Sequence, residues 1–134
     1  LYCARPHVFI SCEHPLAAKT TITTADLEPY PYLVFEQGKH NSFYFSEEFL
    51  SALELPKNIM VRDRATLFNL LIGLNGFTVC SGIIDSELNG ENIIARPLDS
   101  DCEMRIGIVT KKNAVLSRYG KCYLEQLKVH LPID

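Results

Sequence analysis

The sequence predicts an α/β fold, in which a parallel or mixed sheet is covered by helices on both faces. Short apolar runs rich in strand formers alternate with helical stretches along the chain, and this alternation is typical of sheets built from βαβ units. The 134 residues fit one domain, and a hydrophobic fraction of 47% with a charged fraction of 22% is that of a globular protein.

The first part of the chain contains two predicted strands with a short helix between them. Residues 8–12 form an apolar strand-like run, and Pro15 ends it because proline lacks an amide donor. The short helix is predicted to begin at Thr23 or Thr24, whose hydroxyls suit an N-cap. A buried strand follows over residues 32–35.

The rest of the chain continues the alternation of helices and strands. We predict helices over 42–53, 64–74, 83–88 and 115–129, and strands over 58–61, 77–80, 93–98 and 103–110. Asp63 is the predicted N-cap of the second of these helices, and Gly73 and Gly76 mark an exit that permits a left-handed turn. The later half of the strand over 103–110 is predicted to be buried. Gly120, inside the last helix, predicts close packing against a neighbour.

Charge and hydropathy exclude two classes of protein. The net charge is −3 and the basic residues are scattered, whereas a nucleic-acid-binding surface needs clustered cations. No apolar run reaches the roughly 20 residues that span a bilayer. We therefore expect that this segment binds neither nucleic acid nor a membrane by itself.

The five cysteines indicate the compartment. They are Cys3, Cys12, Cys80, Cys102 and Cys122, an odd number without any Cys-x-x-Cys pair. We interpret them as free thiols in a reducing, cytoplasmic environment, several of them buried as small apolar residues. The chain begins at Leu1 with an apolar stretch, which suggests a segment of a longer protein.

The strongest candidate for a binding site follows the strand over 32–35. Polar side chains are concentrated there, at Gln37, Lys39, His40, Asn41 and Ser42. A strand–loop–helix junction directs backbone N–H groups and the positive end of a helix dipole at one point, where small polar or anionic ligands bind. The alternative is an ordinary solvated turn.

Motifs of enzymes are missing from the sequence. It contains no nucleophile elbow, phosphate-binding loop or dinucleotide fingerprint. A nucleophile pair of Cys80 and His40 is one alternative, although a cysteine in an apolar strand is more often part of the core. Asp99, Asp101 and Glu103 more closely fit a solvated turn than a metal site. We predict no catalytic residue, no metal and no cofactor.

A series of motifs nevertheless points to a family. The first motifs are His14-Pro15-Leu16-Ala17 after an apolar strand, and the strand 31–35, which is followed by Gly38. Next come Val61-Arg62-Asp63, before a helix with a glycine exit, and Asn89-Gly90. The last motifs are the strands 93–98 and 105–110, and Leu116-Ser117 before the final helix. Together they resemble the C-terminal half of LysR-type transcriptional regulators, over nearly the whole chain.

The resemblance implies a fold and a function. It implies a periplasmic-binding-protein-like (type 2) module of two α/β subdomains, with a small-molecule inducer in the cleft between them and no catalysis. Residues 8–110 would be the second subdomain with crossover strands near 8–12 and 106–110, and residues 111–134 a helix belonging to the first subdomain. The DNA-binding domain would lie outside this chain, and the inducer would shift the oligomer and so its DNA contacts.

The resemblance also implies which residues contact the effector, which we expect to be an anion. The residues of the loop after the strand over 32–35 are the first candidates, namely Gln37, Gly38, His40, Asn41 and Ser42. Candidates of second rank are Ser11 at the first crossover strand and Asn75 and Phe77 at the glycine exit. Ser81 stands where the family often has proline, which weakens the assignment of Asn75.

Two other functions are alternatives to a regulator, and the last helix raises the question of self-association. A secreted solute-binding protein would share this fold, and an α/β enzyme would use Cys80 or His40. The last helix would expose Leu116, Tyr123 and Leu127 to water unless another chain covers them. We therefore expect self-association, as a dimer or tetramer.

Overall fold

The computed structural model describes residues 2–36 and 57–130, with the backbone alone at 88 and 89. The strands in these ranges are β1 (Tyr2–Ala4), β2 (His7–Ser11), β3 (Tyr32–Phe35), β4 (Asn58–Val61), β5 (Thr78–Cys80), β6 (Ile93–Pro97) and β7 (Met104–Ile106). The helices are α1 (Thr24–Leu27), α2 (Arg64–Gly73), α3 (Ser86–Asn89) and α4 (Arg118–His130). The strands predicted over 32–35 and 58–61 are confirmed. The helix predicted over 42–53 lies outside the described residues.

A three-stranded antiparallel sheet and a two-stranded parallel sheet are joined side by side by one bridge. β2 lies between β5 and β6 and is antiparallel to both, and β3 is parallel to β4. A parallel bridge between Tyr32 and Phe77 joins β3 to β5, because the Leu33 N–H donates to the Phe77 carbonyl at 2.8 Å and the Phe77 N–H donates to the Pro31 carbonyl at 3.0 Å. The strand order is therefore β4-β3-β5-β2-β6, and the predicted mixed sheet is confirmed.

The core has one layer on each face of this sheet. Because side chains alternate along a strand, Val8 and Ile10 of β2 point to one face and Phe9 points to the other. The first layer contains Val8, Ile10, Leu16, Ile22, Leu27, Tyr32, Phe77, Val79 and Leu98. The second contains Phe9, Leu33, Val61, Leu67, Leu71 and Ile93. Leu27 of α1 and two leucines of α2 belong to opposite layers, so helices cover both faces as predicted.

The N-cap of α1 is Thr23. Its hydroxyl accepts the Asp26 N–H while the Asp26 carboxylate accepts the Thr23 N–H, which is a capping box. Lys19 also donates to Asp26 at 2.5 Å. These hydrogen bonds, led by that of Lys19, lower the pKa of Asp26 to about 2.

The ends of α2 confirm one prediction and correct another. Asp63 is the N-cap and accepts the Thr66 N–H at 2.8 Å. The left-handed residue after the helix is Asn75, with φ of 49°, and neither Gly73 nor Gly76. Asparagine tolerates this conformation, so it takes the place that we assigned to glycine. Gly76 has a different role, since an added Cβ would lie 3.1 Å from the Pro31 carbonyl oxygen.

β7 is shorter and more exposed than predicted. It pairs with β1 in a separate antiparallel ladder, which ends with the pair Tyr2–Ile106. Residues 107–110 are exposed, with 94% of Val109 accessible to solvent. The prediction of a strand over 103–110 buried in its later half is therefore wrong, because among the described residues β1 is its one partner and has three residues.

α4 packs against little of the described chain. It forms close to its predicted position, but none of its residues is buried. A Cβ on Gly120 would meet only side-chain atoms of its own segment, at 3.5 Å or more. The close packing that we predicted at this glycine is therefore not found among the described residues.

The cysteines differ from the prediction in their burial. They form no disulfide with one another, as expected, but four are exposed and Cys80 is half-buried. The expectation that several are buried in the core is wrong, because most of them lie in exposed segments such as the turn after β6 and the outer face of α4. In the described parts of the chain, no helix is both long and apolar enough to cross a membrane.

Candidate functional site

A cavity opens at the carboxyl ends of the parallel strands. Its volume is about 280 Å³. Phe35, at the end of β3, and Cys80, at the end of β5, both line it. The bridge between Tyr32 and Phe77 places these two ends level with each other. This is the edge of an open α/β sheet at which ligands generally bind.

Three parts of the fold line this cavity. The sheet contributes Phe9, Thr78 and Val79 in addition to the two strand ends. Ser81 and Ile83 follow β5, and Arg64 begins α2. The ladder of β1 and β7 contributes Met104 and Ile106. The cavity therefore lies between the body of the sheet and a ladder that is not part of it.

Arg64 is the one charged side chain among the described residues that line the cavity. Its guanidinium carbon lies 5.6 Å from the centroid of the Phe35 ring, a cation–π arrangement. The position follows from the local sequence, because Asp63 caps α2 and so directs the next residue to the carboxyl edge of the sheet.

The charged neighbours of Arg64 have partners of their own. Arg62 donates to the Glu36 carboxylate across the ends of β3 and β4, and this hydrogen bond lowers the pKa of Glu36. The Asp63 carboxylate accepts hydrogen bonds from the Thr66 N–H and hydroxyl, and the first of these lowers the pKa of Asp63. Both groups are engaged outside the cavity lining.

The first-ranked residues of the predicted site cannot be located. Gln37, Gly38, His40, Asn41 and Ser42 lie outside the described residues. Glu36 is the last described residue before them, and Phe35 lines the cavity. Contact between these five residues and an effector stays a prediction.

The second-ranked residues lie at the opposite edge of the sheet. Phe77 is level with Tyr32 at the start of β3, which is about 10 Å from Phe35 at 3.3 Å per residue. Ser11 ends the antiparallel β2, and Asn75 precedes β5, so both are at the same edge as Phe77. Their effector contact stays a prediction, but they do not share the edge that carries the cavity.

Each of these three residues has a structural role where it lies. Phe77 is fully buried and stacks on Tyr32 with ring centroids 5.1 Å apart. The buried Ser11 hydroxyl accepts the Glu13 N–H. The Asn75 carbonyl oxygen is 3.0 Å from Nε2 of His14.

His14 connects this edge of the sheet to the following turn. The Leu16 N–H donates to Nδ1 at 3.0 Å, so the neutral ring carries its proton on Nε2 and donates it to Asn75. The ring also packs against Tyr30 with centroids 4.4 Å apart. Burial is the main reason that the pKa of His14 is lowered, with partial opposition from the hydrogen bond to Asn75.

Sequence reasoning missed most of the cavity. A usable signal existed for Arg64, Cys80 and Ser81, since each follows or begins an element at the carboxyl edge that the βα pattern predicts. No local signal existed for Met104 and Ile106, because their place depends on the pairing of β7 with β1.

Two chemical alternatives were an acidic metal site and a cysteine–histidine nucleophile pair. Asp99, Asp101 and Glu103 lie in the turn between β6 and β7, and residues 2–36 and 57–130 contain no cluster of metal-binding side chains. Cys80 lines the cavity, but His40 is outside the described residues, so their pairing stays a hypothesis.

Comparisons with solved structures show the same fold in LysR regulators. The effector-binding domain of QuiR in complex with shikimate has a TM-score of 0.66 at 21% identity, over 98% of this chain and 65% of that one. HinK, a LysR family transcriptional regulator from Pseudomonas aeruginosa, has a TM-score of 0.62 at 17% identity, over 92% of this chain and 43% of that one. The regulatory domain of MetR from N. meningitidis has a TM-score of 0.58 at 14% identity, over 75% and 47%.

The chain spans only 43–65% of the lengths of these three proteins. No curated protein sequence matches it. A family model, the LysR substrate binding domain, matches residues 1–132. Its match covers nearly the whole sequence, and the mixed sheet agrees with the periplasmic-binding-protein-like fold of that domain. The chain therefore belongs to the LysR substrate-binding domain family of transcription regulators.

Proposed function

We propose that this chain senses a small-molecule effector that occupies the cavity at the carboxyl edge of the sheet. One observation carries the proposal: the lining combines Arg64 of α2 and Cys80 of β5 with Met104 and Ile106 of the separate ladder. A compound in this cavity would contact both parts at once. The shikimate complex of QuiR supports the assignment of a small ligand to such a domain.

In this proposal, effector binding changes the orientation of the β1–β7 ladder relative to the sheet. β1 and β2 are separated by Arg5 and Pro6 alone, so a small backbone rotation there changes the direction of the ladder. A ligand that prefers one setting shifts the population toward it. The shift would reach the oligomer of a longer regulator and the spacing of its DNA contacts.

The division into subdomains is part of the same proposal. Residues 8–110 would form the second subdomain, and residues 111–134 would carry a helix belonging to a first subdomain. The pairing of β1 with β7 favours these two strands as the crossovers, since the segment 8–12 contributes β2 at the centre of the sheet. We further propose a cytoplasmic regulator without catalytic activity.

The effector proposal can be tested through Cys80. Its half-buried thiol lines the cavity, whereas Cys3 and Cys102 are exposed elsewhere. We expect that a bound compound slows alkylation of Cys80 and leaves the labelling of the other two unchanged, as measured for each cysteine by mass spectrometry with a panel of small metabolites that includes shikimate. Compounds that raise the melting temperature without protecting Cys80 would place the effector elsewhere and contradict the proposal.

Self-association is the second testable part. Tyr119 and Tyr123 of α4 are 85% and 64% exposed, and such surfaces are usually covered by a partner. We expect oligomers by light scattering at micromolar concentrations, and monomers for the double variant Tyr119→Lys and Tyr123→Lys. The control is Met60→Lys, which changes an exposed apolar residue of β4. A clean monomer of the unchanged chain would refute this part.

A further inference from the structure

We infer that the cavity selects a small, largely apolar monoanion, a carboxylate on a ring-sized body, and that Arg64 determines this selection. The inference rests on the proposed function, because it names the ligand class of the same cavity. It goes further in assigning one residue to the charge of the ligand.

The electrostatics of the lining favour an anion. Arg64 brings a positive charge to the cavity, and no carboxylate is found among the described residues that line it. Arg62 pairs with Glu36, and the Asp63 carboxylate accepts hydrogen bonds from Thr66 at the start of α2, so neither carboxylate belongs to the described lining. Among the described residues of the lining no group neutralises Arg64, so its charge favours an anion over a cation.

The contact with Phe35 prepares the guanidinium for this role. Arg64 is exposed, and its guanidinium carbon lies 5.6 Å from the ring centroid, so the cation–π contact favours a position beside the cavity. Restricting an arginine beforehand reduces the conformational entropy that is lost on binding. The N–H groups of a guanidinium form a fork that matches the two oxygens of a carboxylate.

The remaining lining sets the size and polarity of the ligand. Apolar side chains dominate it, among them Phe9, Val79, Ile83 and Met104, with the hydroxyls of Thr78 and Ser81. The volume of about 280 Å³ is at the lower end of ligand pockets. A one-ring body with a single carboxylate fits these limits, whereas a second carboxylate would lie against apolar side chains at a desolvation cost.

The test compares three one-ring compounds of similar size and different charge. Benzoate, benzamide and benzylamine are titrated into the purified chain at neutral pH, and the dissociation constants are measured by NMR. We expect benzoate to bind most tightly. The variant Arg64→Gln should weaken benzoate about tenfold to a hundredfold and change benzamide little, while Arg64→Lys should retain part of the affinity.

Arg118→Gln is the matched control. Arg118 is also an exposed first residue of a helix, but it does not line the cavity. This variant should bind benzoate as the unchanged chain does. Far-UV circular dichroism checks that all variants are folded.

The outcomes separate this inference from the proposed function. Equal binding of benzamide and benzoate, or unchanged benzoate affinity in Arg64→Gln, overturns the role of Arg64. If benzamide or benzylamine protects Cys80 from alkylation and benzoate does not, the cavity is an effector site but the ligand class is wrong. If benzoate binds without protecting Cys80, the proposed site itself fails.

Discussion

Residues 8–98 and residues 99–130 of this chain both contain a helix with leucines but differ strongly in burial. Among the described residues, every buried hydrophobic side chain except those of Ala4 and Pro6 lies between Val8 and Leu98. From residue 99 to 130 no residue is buried, although α4 has a row of tyrosines and leucines. The first region forms a two-layer core on its own, and the second has an apolar face with nothing described beside it.

Leucines at helical spacing predict a helix but not the surface against which the helix packs. Leu67 and Leu71 of α2 recur at helical spacing and pack on the sheet. Leu124 and Leu127 of α4 recur in a similar way and stay partly exposed. Spacing within a segment is local, whereas the surface that covers it is supplied by distant residues or by another chain.

The largest expected difference between the regions is the effect of removing a leucine side chain. Leu71→Ala should lower the free energy of unfolding by about 2–5 kcal/mol, because Leu71 is fully buried. The same change at Leu127 in α4 should cost less than about 0.5 kcal/mol. Urea unfolding followed by circular dichroism measures both. Equal losses would show that α4 is covered in solution.

A glycine-to-alanine pair should give effects of opposite sign. At Gly76 a new Cβ would lie 3.1 Å from the Pro31 carbonyl oxygen and 3.2 Å from the buried Leu33, so we expect a loss of about 1–3 kcal/mol in stability. At Gly120 there is room, and alanine should favour the helix by up to about 1 kcal/mol.

Helical content and unfolding midpoints of the two glycine variants test this expectation. Gly120→Ala should raise the helical signal and raise the unfolding midpoint slightly, whereas Gly76→Ala should lower the midpoint. A strong loss of stability in Gly120→Ala would mean that α4 packs closely against a neighbour, as the sequence alone suggested.

The smallest expected effect is the pH dependence due to His14. Its pKa is lowered from 6.5 in the folded state, so the unfolded chain binds more protons as the pH falls below about 6.5, and stability decreases there. Urea midpoints should therefore drop from about pH 7.5 to about pH 5.5. Asp26, Glu36 and Asp63 do not contribute in this range, because their pKa values are also lowered.

The variant His14→Gln is the control for this pH effect. It should be less stable at neutral pH, since the Leu16 N–H loses its acceptor. Its midpoint should also change less between the two pH values than that of the unchanged chain. An identical pH dependence in the variant would assign the effect to another group.

Local sequence signals predicted most of the elements correctly. The bounds of β3 and β4, the N-cap Asp63 and the alternating order all follow from strand formers, caps and proline positions that act within a few residues. The same reasoning failed for residues 107–110 and for the cysteines, because burial depends on which strand or layer lies beside a segment.

The sequence could predict which edge of the sheet carries the candidate site, but not which residues line it. Phe35 and Cys80, the last residues of β3 and β5, line the cavity at the carboxyl edge, while effector contact of the residues after Phe35 stays a prediction. Ser11, Asn75 and Phe77 were predicted as further contacts, and the register places them at the other edge of the sheet. Register is a long-range property, since it depends on hydrogen bonds between strands that lie far apart in the chain.

The sequence by itself determined the α/β class, the family and the position of most helices and strands, because these depend on local propensity and residue order. Only the tertiary structure decided that β1 pairs with β7, that Arg64 meets Phe35 at a cavity, and that α4 has no buried residue. Each of these facts requires segments distant in the chain to meet or to stay apart. That outcome depends on the free energy of the whole packed arrangement rather than on any one stretch.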